Sequence, residues 1–278
     1  MSGGVLVLVG TPIGNLGDLS PRAVEALRTA DLIACEDTRR TRQLLTAAGV
    51  PAGNRLMAVH DHNEAAQVGE VLRRLDAGQQ VAVVTDAGMP GISDPGERLV
   101  AAAAEAGHRV DVVPGPSAAV AALVLSGLPT ARWCFEGFLP RKGRDRSRRL
   151  ADLASERRTT VLFESPHRVE ATIVDLAAAL GGTRRVAIAR ELTKKYEEVW
   201  RGTMAEAATH LAGREPMGEY VLVVEGAPPR EPATESDVED ALRARLASGM
   251  PKRDAVAEVA AELDVPKRLV YDAALRIS

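Results

Sequence analysis

The segment TDAGMPGISDPG follows an apolar run, precedes a helical pattern and has the residue types of a ligand-binding loop. Asp86 ends the apolar run, and a carboxylate there can accept hydrogen bonds from hydroxyl groups or an amine. Gly88 allows a ligand to approach the backbone closely, while Met89 and Ile92 can form an apolar wall. The pattern predicts a site for a ligand with a flat apolar ring, a polyol and a cationic group. The alternative is a tight turn with Asp94 as the N-cap of the next helix, which leaves Asp86 and Gly88 unexplained.

Two more loops with unusual backbone requirements follow strand-like runs. In TPIGN, Asn15 offers an amide that can orient a hydroxyl group, although the same residues also suit a plain turn. In PGPSA, Ser117 and Ala118 begin a helix, where free N–H groups favour a polar or anionic ligand. A simple helix cap is an equally good interpretation of these residues. Because ligands of open α/β sheets with parallel strands bind beyond the carboxyl ends of the strands, we expect the three loops to converge.

Two adjacent carboxylates, Glu36 and Asp37, end the second strand-like run. Either is a candidate general base and either could cap the following helix, for which Asp37 is the better placed. The sequence has neither GxxxxGK[ST] nor GxGxxG, so the glycine-rich loops do not indicate an ATP or NAD site. His60 and His62 flank Asp61 without an evident third ligand, so no metal site is predicted.

The stretch RKGRDRSRR is the most basic part of the chain. Six cations face a single anion, and such density is repulsive unless a polyanion lies opposite. The stretch predicts an RNA or another phosphate-rich partner, with a solvated mobile loop as the alternative. The candidate RNA-binding residues are Arg141, Lys142, Arg144, Arg146, Arg148 and Arg149.

The order of the predicted elements divides the chain into four parts. Over residues 1–130, apolar runs alternate with helical patterns, which predicts a largely parallel sheet with helices on both faces. Residues 131–228 predict a second α/β domain with a mixed sheet. A proline-rich acidic linker at 229–237 leads to a helical module at 238–278, part of which resembles a helix-turn-helix. Its balanced charge favours a packing or dimer-supporting role.

Composition limits the classes of function. The 278 residues carry a net charge of −3, so nucleic-acid binding has to come from a local patch. Two widely separated cysteines, Cys35 and Cys134, favour a reduced cytosolic compartment, and the N-terminus lacks the pattern of a signal peptide. An uncharged segment at 112–131 is interrupted by prolines and glycines, so we predict no membrane span.

Eight motifs in register resemble the ribosomal small-subunit methyltransferase I family, which belongs to the tetrapyrrole-methylase superfamily. Together they run through most of the first 226 residues, and the helical tail matches more weakly. The motifs are LVGTPIGNLGDLSPRA, ACEDTRRTRQLL, HDHNE, VTDAGMPGISDPG, PGPSA, FEGFLPRK, FESPHR and ARELTKKYEE.

The resemblance implies 2′-O-methylation of a cytidine ribose in the decoding region of 16S rRNA in the small ribosomal subunit. It also implies a cytoplasmic homodimer with two α/β domains and S-adenosylmethionine in the cleft between them. We expect the acceptor hydroxyl to be oriented by Asn15 and deprotonated by Glu36 or Asp37. The implied cofactor contacts are Pro12, Asp86, Gly88, Met89, Ile92, Ser93, Ser117, Ala118, Phe163 and Glu219.

Two other functions stay open. A tetrapyrrole acceptor would keep the fold and cofactor, but the basic stretch argues against it. A non-catalytic RNA-binding or ribosome-assembly module would not need three glycine-rich loops at one sheet edge.

Overall fold

The computed structural model describes residues 3–215, 217–229 and 233–277. The strands there are β1 (Val5–Val9), β2 (Leu32–Cys35), β3 (Leu56–Ala58), β4 (Gln80–Val84), β5 (Arg109–Val113), β6 (Trp133–Phe138), β7 (Thr159–Glu164), β8 (Arg185–Arg190), β9 (Glu198–Thr203) and β10 (Tyr220–Val224). The α-helices are α1 (Pro21–Thr29), α2 (Thr38–Ala47), α3 (Glu64–Asp76), α4 (Glu97–Glu105), α5 (Ala118–Leu125), α6 (Arg144–Ser155), α7 (Val169–Leu180), α8 (Met204–Leu211), α9 (Glu235–Ala247), α10 (Lys252–Leu263) and α11 (Lys267–Arg276). The chain divides into two compact units between Ala227 and Pro228.

The first five strands form one parallel sheet in the order β3-β2-β4-β1-β5. Alternate residues of β1 face opposite sides, as the two-residue period of a strand requires. Val7 and Val9 pack in the core that α1 and α2 cover, whereas Leu6 packs in the core that α3 and α4 cover. The predicted parallel sheet with helices on both faces is confirmed.

The second sheet is mixed, in the order β6-β7-β10-β8-β9. Only β6 and β7 pair in parallel, and the other neighbours are antiparallel. Helices α6, α7 and α8 cover one face, where Leu153, Ile173 and Met204 pack on Leu162 and Leu222. The predicted second α/β fold with a mixed sheet is therefore confirmed.

Helix α5 covers the other face of the second sheet although it follows the last strand of the first. Ala119, Ala122 and Leu123 pack there against Val161 of β7 and Val221 of β10. Although the sequence of α5 is apolar on all sides, only this face is buried, and Val120 and Val124 on the other side are exposed.

Helix α4 corrects one predicted cap. Asp94 is not its N-cap, because the helix begins at Glu97 and Gly96 occupies the cap position. The buried carboxylate of Glu64 accepts hydrogen bonds from the N–H groups of Gly96 at 2.9 Å, Arg98 at 3.0 Å and Leu99 at 3.3 Å. A side chain distant in sequence thus satisfies the helix N-terminus, which leaves Asp94 free for another role.

The basic stretch is not a mobile loop over most of its length. It enters helix α6 at Arg144, directly after Gly143, whose φ is +84°. A run of arginines is compatible with a helix because arginine has high helix propensity.

The second unit contains three described helices, α9, α10 and α11. They share a core of small apolar side chains in which Val238, Leu242, Val259, Val270 and Ala273 are fully buried. Residues 230–232, in the predicted linker, lie outside the described residues. None of the helices described in the chain is long and apolar enough to cross a membrane.

Candidate active site

Backbone contacts bring together the loops that follow β1, β4 and β5. The N–H of Thr11 donates to the carbonyl of Gly88 at 2.9 Å, and the N–H of Gly88 donates back at 3.2 Å. A Cβ atom added to Gly10 would lie 2.6 Å from Gly115 and 2.7 Å from the sulfur of Met89. The three loops meet at one edge of the first sheet, as expected from the parallel strands.

A cavity of about 390 Å³ lies between this edge and the second sheet, and we refer to it as the cofactor cavity. Nine of the ten residues implied as cofactor contacts line it. They are Asp86, Gly88, Met89, Ile92, Ser93, Ser117, Ala118, Phe163 and Glu219.

A second cavity of about 380 Å³, which we call the adjoining cavity, shares part of the first cavity's wall. Pro12, the tenth implied cofactor contact, lines the adjoining cavity and not the cofactor cavity. Residues common to both walls are Ile13, Arg40, Asp86, Ala87 and Glu219.

The loops that follow β2 and β4 place the carboxyl groups of Glu36, Asp86 and Asp94 on the wall of the cofactor cavity. The N–H of Asp86 donates to the Glu36 carboxylate at 3.3 Å, and the Asp86 carboxylate accepts from the N–H of Asp37 at 3.2 Å. Arg40 lies 3.3 Å from the other oxygen of Asp86. Burial raises the pKa of both Glu36 and Asp86. Burial and then the nearby carboxylates of Glu36, Asp61 and Asp86 raise the pKa of Asp94 to about 7.

Asp37 has a structural environment unlike that of Glu36. Its carboxylate caps α2 by accepting from the N–H of Arg39 at 2.7 Å and pairs with the Arg39 guanidinium at 2.8 Å. These bonds hold the pKa of Asp37 well below its usual range. A carboxylate that is so well satisfied is a weak base, so Glu36 is the better of the two candidates.

Asn15 caps the short 3₁₀ turn Leu16–Asp18, because its side-chain oxygen accepts from the N–H of Gly17 at 2.9 Å. Its side chain lines neither cavity, although the neighbouring Gly14 and Leu16 line the adjoining one. The structure therefore gives Asn15 a cap, which was the alternative interpretation of the TPIGN loop.

The apolar wall of the cofactor cavity includes an aromatic cluster. Phe163 on β7 makes edge-to-face contacts with Phe135 at 5.0 Å and Phe138 at 5.7 Å between ring centres. A β-bulge in β6 between Phe135 and Gly137 shifts the strand register before Phe138, which is half-exposed at the cavity. Phe138 was not predicted, since a bulge of this kind leaves no periodic signal in the sequence.

The basic cluster divides into exposed and buried members. Arg146 is only 11% exposed, pairs with Asp175 at 2.7 Å and donates to the Pro140 carbonyl at 2.9 Å. This contradicts its assignment as an RNA-binding residue. The side chain of Arg149 pairs with Glu136 but stays half-exposed. The exposed cations without a described ion pair are Arg141, Lys142, Arg144 and Arg148.

Family comparisons agree with this architecture. The family described as Tetrapyrrole (Corrin/Porphyrin) Methylases matches residues 5–208, and the RsmI C-terminal HTH domain matches residues 232–278. The first match covers both sheets except β10, and the lining of the cofactor cavity except Glu219, Tyr220 and Val221. The chain is thus a two-sheet methylase with an added helical domain.

Proteins of similar sequence identify the family within this class of methylases. The chain is 47% identical to the Ribosomal RNA small subunit methyltransferase I of Synechocystis sp., over 99% of this chain and 98% of that protein. It is 49% identical to the same enzyme of Mycobacterium tuberculosis, over 99% and 96%. The chain belongs to the ribosomal RNA small subunit methyltransferase I family.

More distant structures share the fold alone. Uroporphyrin-III-C-methyltransferase from Thermus thermophilus is 22% identical, with a TM-score of 0.55 over 81% of this chain and 93% of its own. Diphthine synthase is 15% identical, with a TM-score of 0.59 over 80% and 90%.

S-adenosylmethionine is the methyl donor of this family, and the cofactor cavity fits it. Gly88 lines the cavity with a φ of +89°, a backbone conformation that favours glycine and lets a ligand approach the chain closely. Phe163 and Ile92 offer an apolar surface to an adenine ring, while Asp86 and Asp94 can accept from hydroxyl or amino groups.

Proposed function

We propose that this protein methylates the 2′-oxygen of cytidine 1402 in 16S rRNA, with S-adenosylmethionine as the donor. The observation that carries the proposal is the pair of cavities with a shared wall, one of which contains nine implied cofactor contacts. A transfer reaction needs two ligands side by side, and the shared wall allows them to meet. The rRNA substrate is supported by relatives named rRNA methyltransferases.

S-adenosylmethionine supplies a methyl group that is already activated on a sulfonium. The residues of the chain have to hold the acceptor oxygen in line with it, and positioning of this kind can contribute ~7–11 kcal/mol in favourable cases. Glu36 is our candidate for the base that takes the proton of the 2′-hydroxyl group. Burial raises its pKa, which makes it a better proton acceptor than an ordinary surface carboxylate.

The exposed cations at the start of α6 are our candidates for the RNA backbone contacts. Arg141, Lys142, Arg144 and Arg148 all extend from one short segment. Since phosphate contacts dominate affinity for nucleic acids, this segment can anchor rRNA beside the cavities despite the net negative charge of the chain.

We also propose that the protein acts as a cytoplasmic homodimer. Val112 on the edge strand β5 is 51% exposed, and Val120 and Val124 on α5 are 47% and 65% exposed. Apolar side chains in such positions are suited to a second copy of the chain. The two free thiols, Cys35 and Cys134, are consistent with a reducing compartment. Sedimentation of the Val124→Asp variant tests the dimer, which we expect to dissociate.

The decisive test incubates the protein with labelled S-adenosylmethionine and small subunits from cells that lack this methylation. We expect one labelled nucleotide, with the methyl group on its ribose. Label on the base, label at another nucleotide or no label on rRNA would contradict the proposal. Parallel incubation with a porphyrinogen tests the tetrapyrrole alternative.

A further inference from the structure

The adjoining cavity has its own polar side chains beyond the wall that it shares with the cofactor cavity. Most of its long polar side chains already have partners. Arg40 pairs with Asp86 at 3.3 Å, and Lys194 pairs with Glu191 at 2.8 Å and with Glu219 at 2.9 Å. These residues are held in place by each other and form a charged rim.

Gln43 on α2 is different. It is an exposed residue whose side chain lines the open adjoining cavity, and its amide has no hydrogen-bond partner within the described residues, so it is accessible to a ligand. An amide offers two donors and an acceptor, so an unengaged one at a cavity wall can bind a ligand that presents both kinds of group. Apolar residues Pro12, Leu16 and Leu44 complete the cavity with surface that suits a flat ring.

We propose that the adjoining cavity holds the acceptor nucleotide and that Gln43 binds the Watson–Crick edge of its base. Cytosine presents an amino donor beside a ring-nitrogen acceptor, which a side-chain amide can bind with two hydrogen bonds. The cavity volume of about 380 Å³ lies in the range of small-molecule sites. Such a contact fixes the ribose relative to the shared wall, where Asp86 lies. This inference rests on the proposed function.

The size of the effect follows from two hydrogen bonds to one base edge. A good bidentate contact is worth about 1–3 kcal/mol, or roughly 5- to 150-fold in kcat/KM. We expect Gln43→Ala to lose that factor on subunits that carry the natural cytidine. Its affinity for S-adenosylmethionine, measured by calorimetry, should stay unchanged because Gln43 does not line the cofactor cavity.

The test is a double-mutant cycle between the side chain and the base. Subunits are reconstituted with 16S rRNA in which the target cytosine lacks its 4-amino group, and both proteins are assayed on both substrates. We expect Gln43→Ala to be impaired more on the natural base than on the altered base, which keeps the ring nitrogen as the acceptor of one hydrogen bond from Gln43. The matched control is Gln67→Ala on α3, which lines neither cavity and should behave as the unmodified protein on both substrates.

Each outcome separates the two proposals. If Gln43→Ala methylates the natural subunit as fast as the unmodified protein, or is impaired equally on both substrates, Gln43 does not bind the base edge and the inference fails alone. If the unmodified protein transfers no methyl group to the cytidine ribose, the proposed function fails and this inference fails with it.

Discussion

The N–H of Asp86 donates to the carboxylate of Glu36 at 3.3 Å, while the carboxylate of Asp86 accepts from the N–H of Asp37 at 3.2 Å. The two bonds run in opposite directions between the ends of β4 and β2. They fix the carboxylates of Glu36 and Asp86 on one wall of the cofactor cavity. A displacement of either strand end would therefore move both groups together.

Glu36 and Asp37 should give different results when their charge is removed. We expect Glu36→Gln to lower kcat by about 10²- to 10⁴-fold with little change in S-adenosylmethionine affinity, because it removes the proton acceptor. Asp37→Asn should keep most of the turnover and change stability little, because asparagine caps a helix about as well as aspartate and the lost ion pair is with the exposed Arg39. Single-turnover methylation and chemical denaturation measure the two effects. Full turnover in both variants would show that neither carboxylate is the base.

Asp94 should make cofactor binding depend on pH. Its pKa is about 7 in the folded chain, so it is largely protonated at pH 6 and largely ionised at pH 8. Because an ionised carboxylate attracts a sulfonium or ammonium group, we expect S-adenosylmethionine to bind about 3- to 10-fold more weakly at pH 6 than at pH 8. Titration calorimetry at both pH values measures this ratio, which Asp94→Asn should reduce. The control Asp240→Asn, in the second unit, should leave it unchanged.

The same group should affect stability with a defined sign. A raised pKa means that the folded state holds its proton more tightly than the unfolded chain, so Asp94 destabilises the fold progressively as pH rises from about 4 to 7. Asp94→Asn should therefore stabilise the protein at pH 8 by roughly 1 kcal/mol, after allowance for its partial exposure. At pH 4 this gain should disappear. A constant gain at all pH values would contradict the assignment.

Gly10 should tolerate no side chain. A Cβ atom there would meet Gly115 at 2.6 Å and Met89 at 2.7 Å, so Gly10→Ala should cost about 1–3 kcal/mol and weaken cofactor binding. Thermal unfolding with and without S-adenosylmethionine tests both effects. The matched control is Gly69→Ala in α3, where nothing lies within 4 Å and the change should stabilise by about 0.5–1 kcal/mol.

The arginines of α6 should separate into two kinds. Removing Arg144 and Arg148 together should weaken RNA binding and lower its salt slope by about 0.7–0.9 per lost phosphate contact. Arg146→Ala should instead destabilise the fold by about 1–3 kcal/mol, because it removes a largely buried side chain that donates to the Pro140 carbonyl and to the buried Thr172 hydroxyl. Filter binding over a salt series and denaturation measure the effects. A double variant of the exposed α1 residues Arg22 and Arg28 is the control, and a slope change there would contradict a local RNA surface.

The predictable features were those with a local sequence signal. The apolar runs before TPIGN and TDAGMPGISDPG are β1 and β4. The Ser20-Pro21 pair is likewise a local signal for a helix start, and the Ser20 hydroxyl accepts from the N–H of Ala23 at 3.1 Å at the start of α1. Features that depend on long-range contacts were not predicted. Asp94 looked like a cap because its own neighbours suit one, yet Glu64, thirty residues earlier, makes the three bonds to α4. The bulge in β6 and the burial of Arg146 likewise depend on tertiary packing.

Helix α5 has a consequence for how this fold can change in evolution. It is linked to the first sheet by the chain and to the second by its buried face. A gene fragment that ends near residue 130 would carry away the cover of the second sheet, and one that begins there would encode a sheet with one bare apolar face. Recombination at that point is therefore unfavourable, so the two halves should be inherited together. The helical unit after Ala227 has a core of its own, so it can be gained or lost independently.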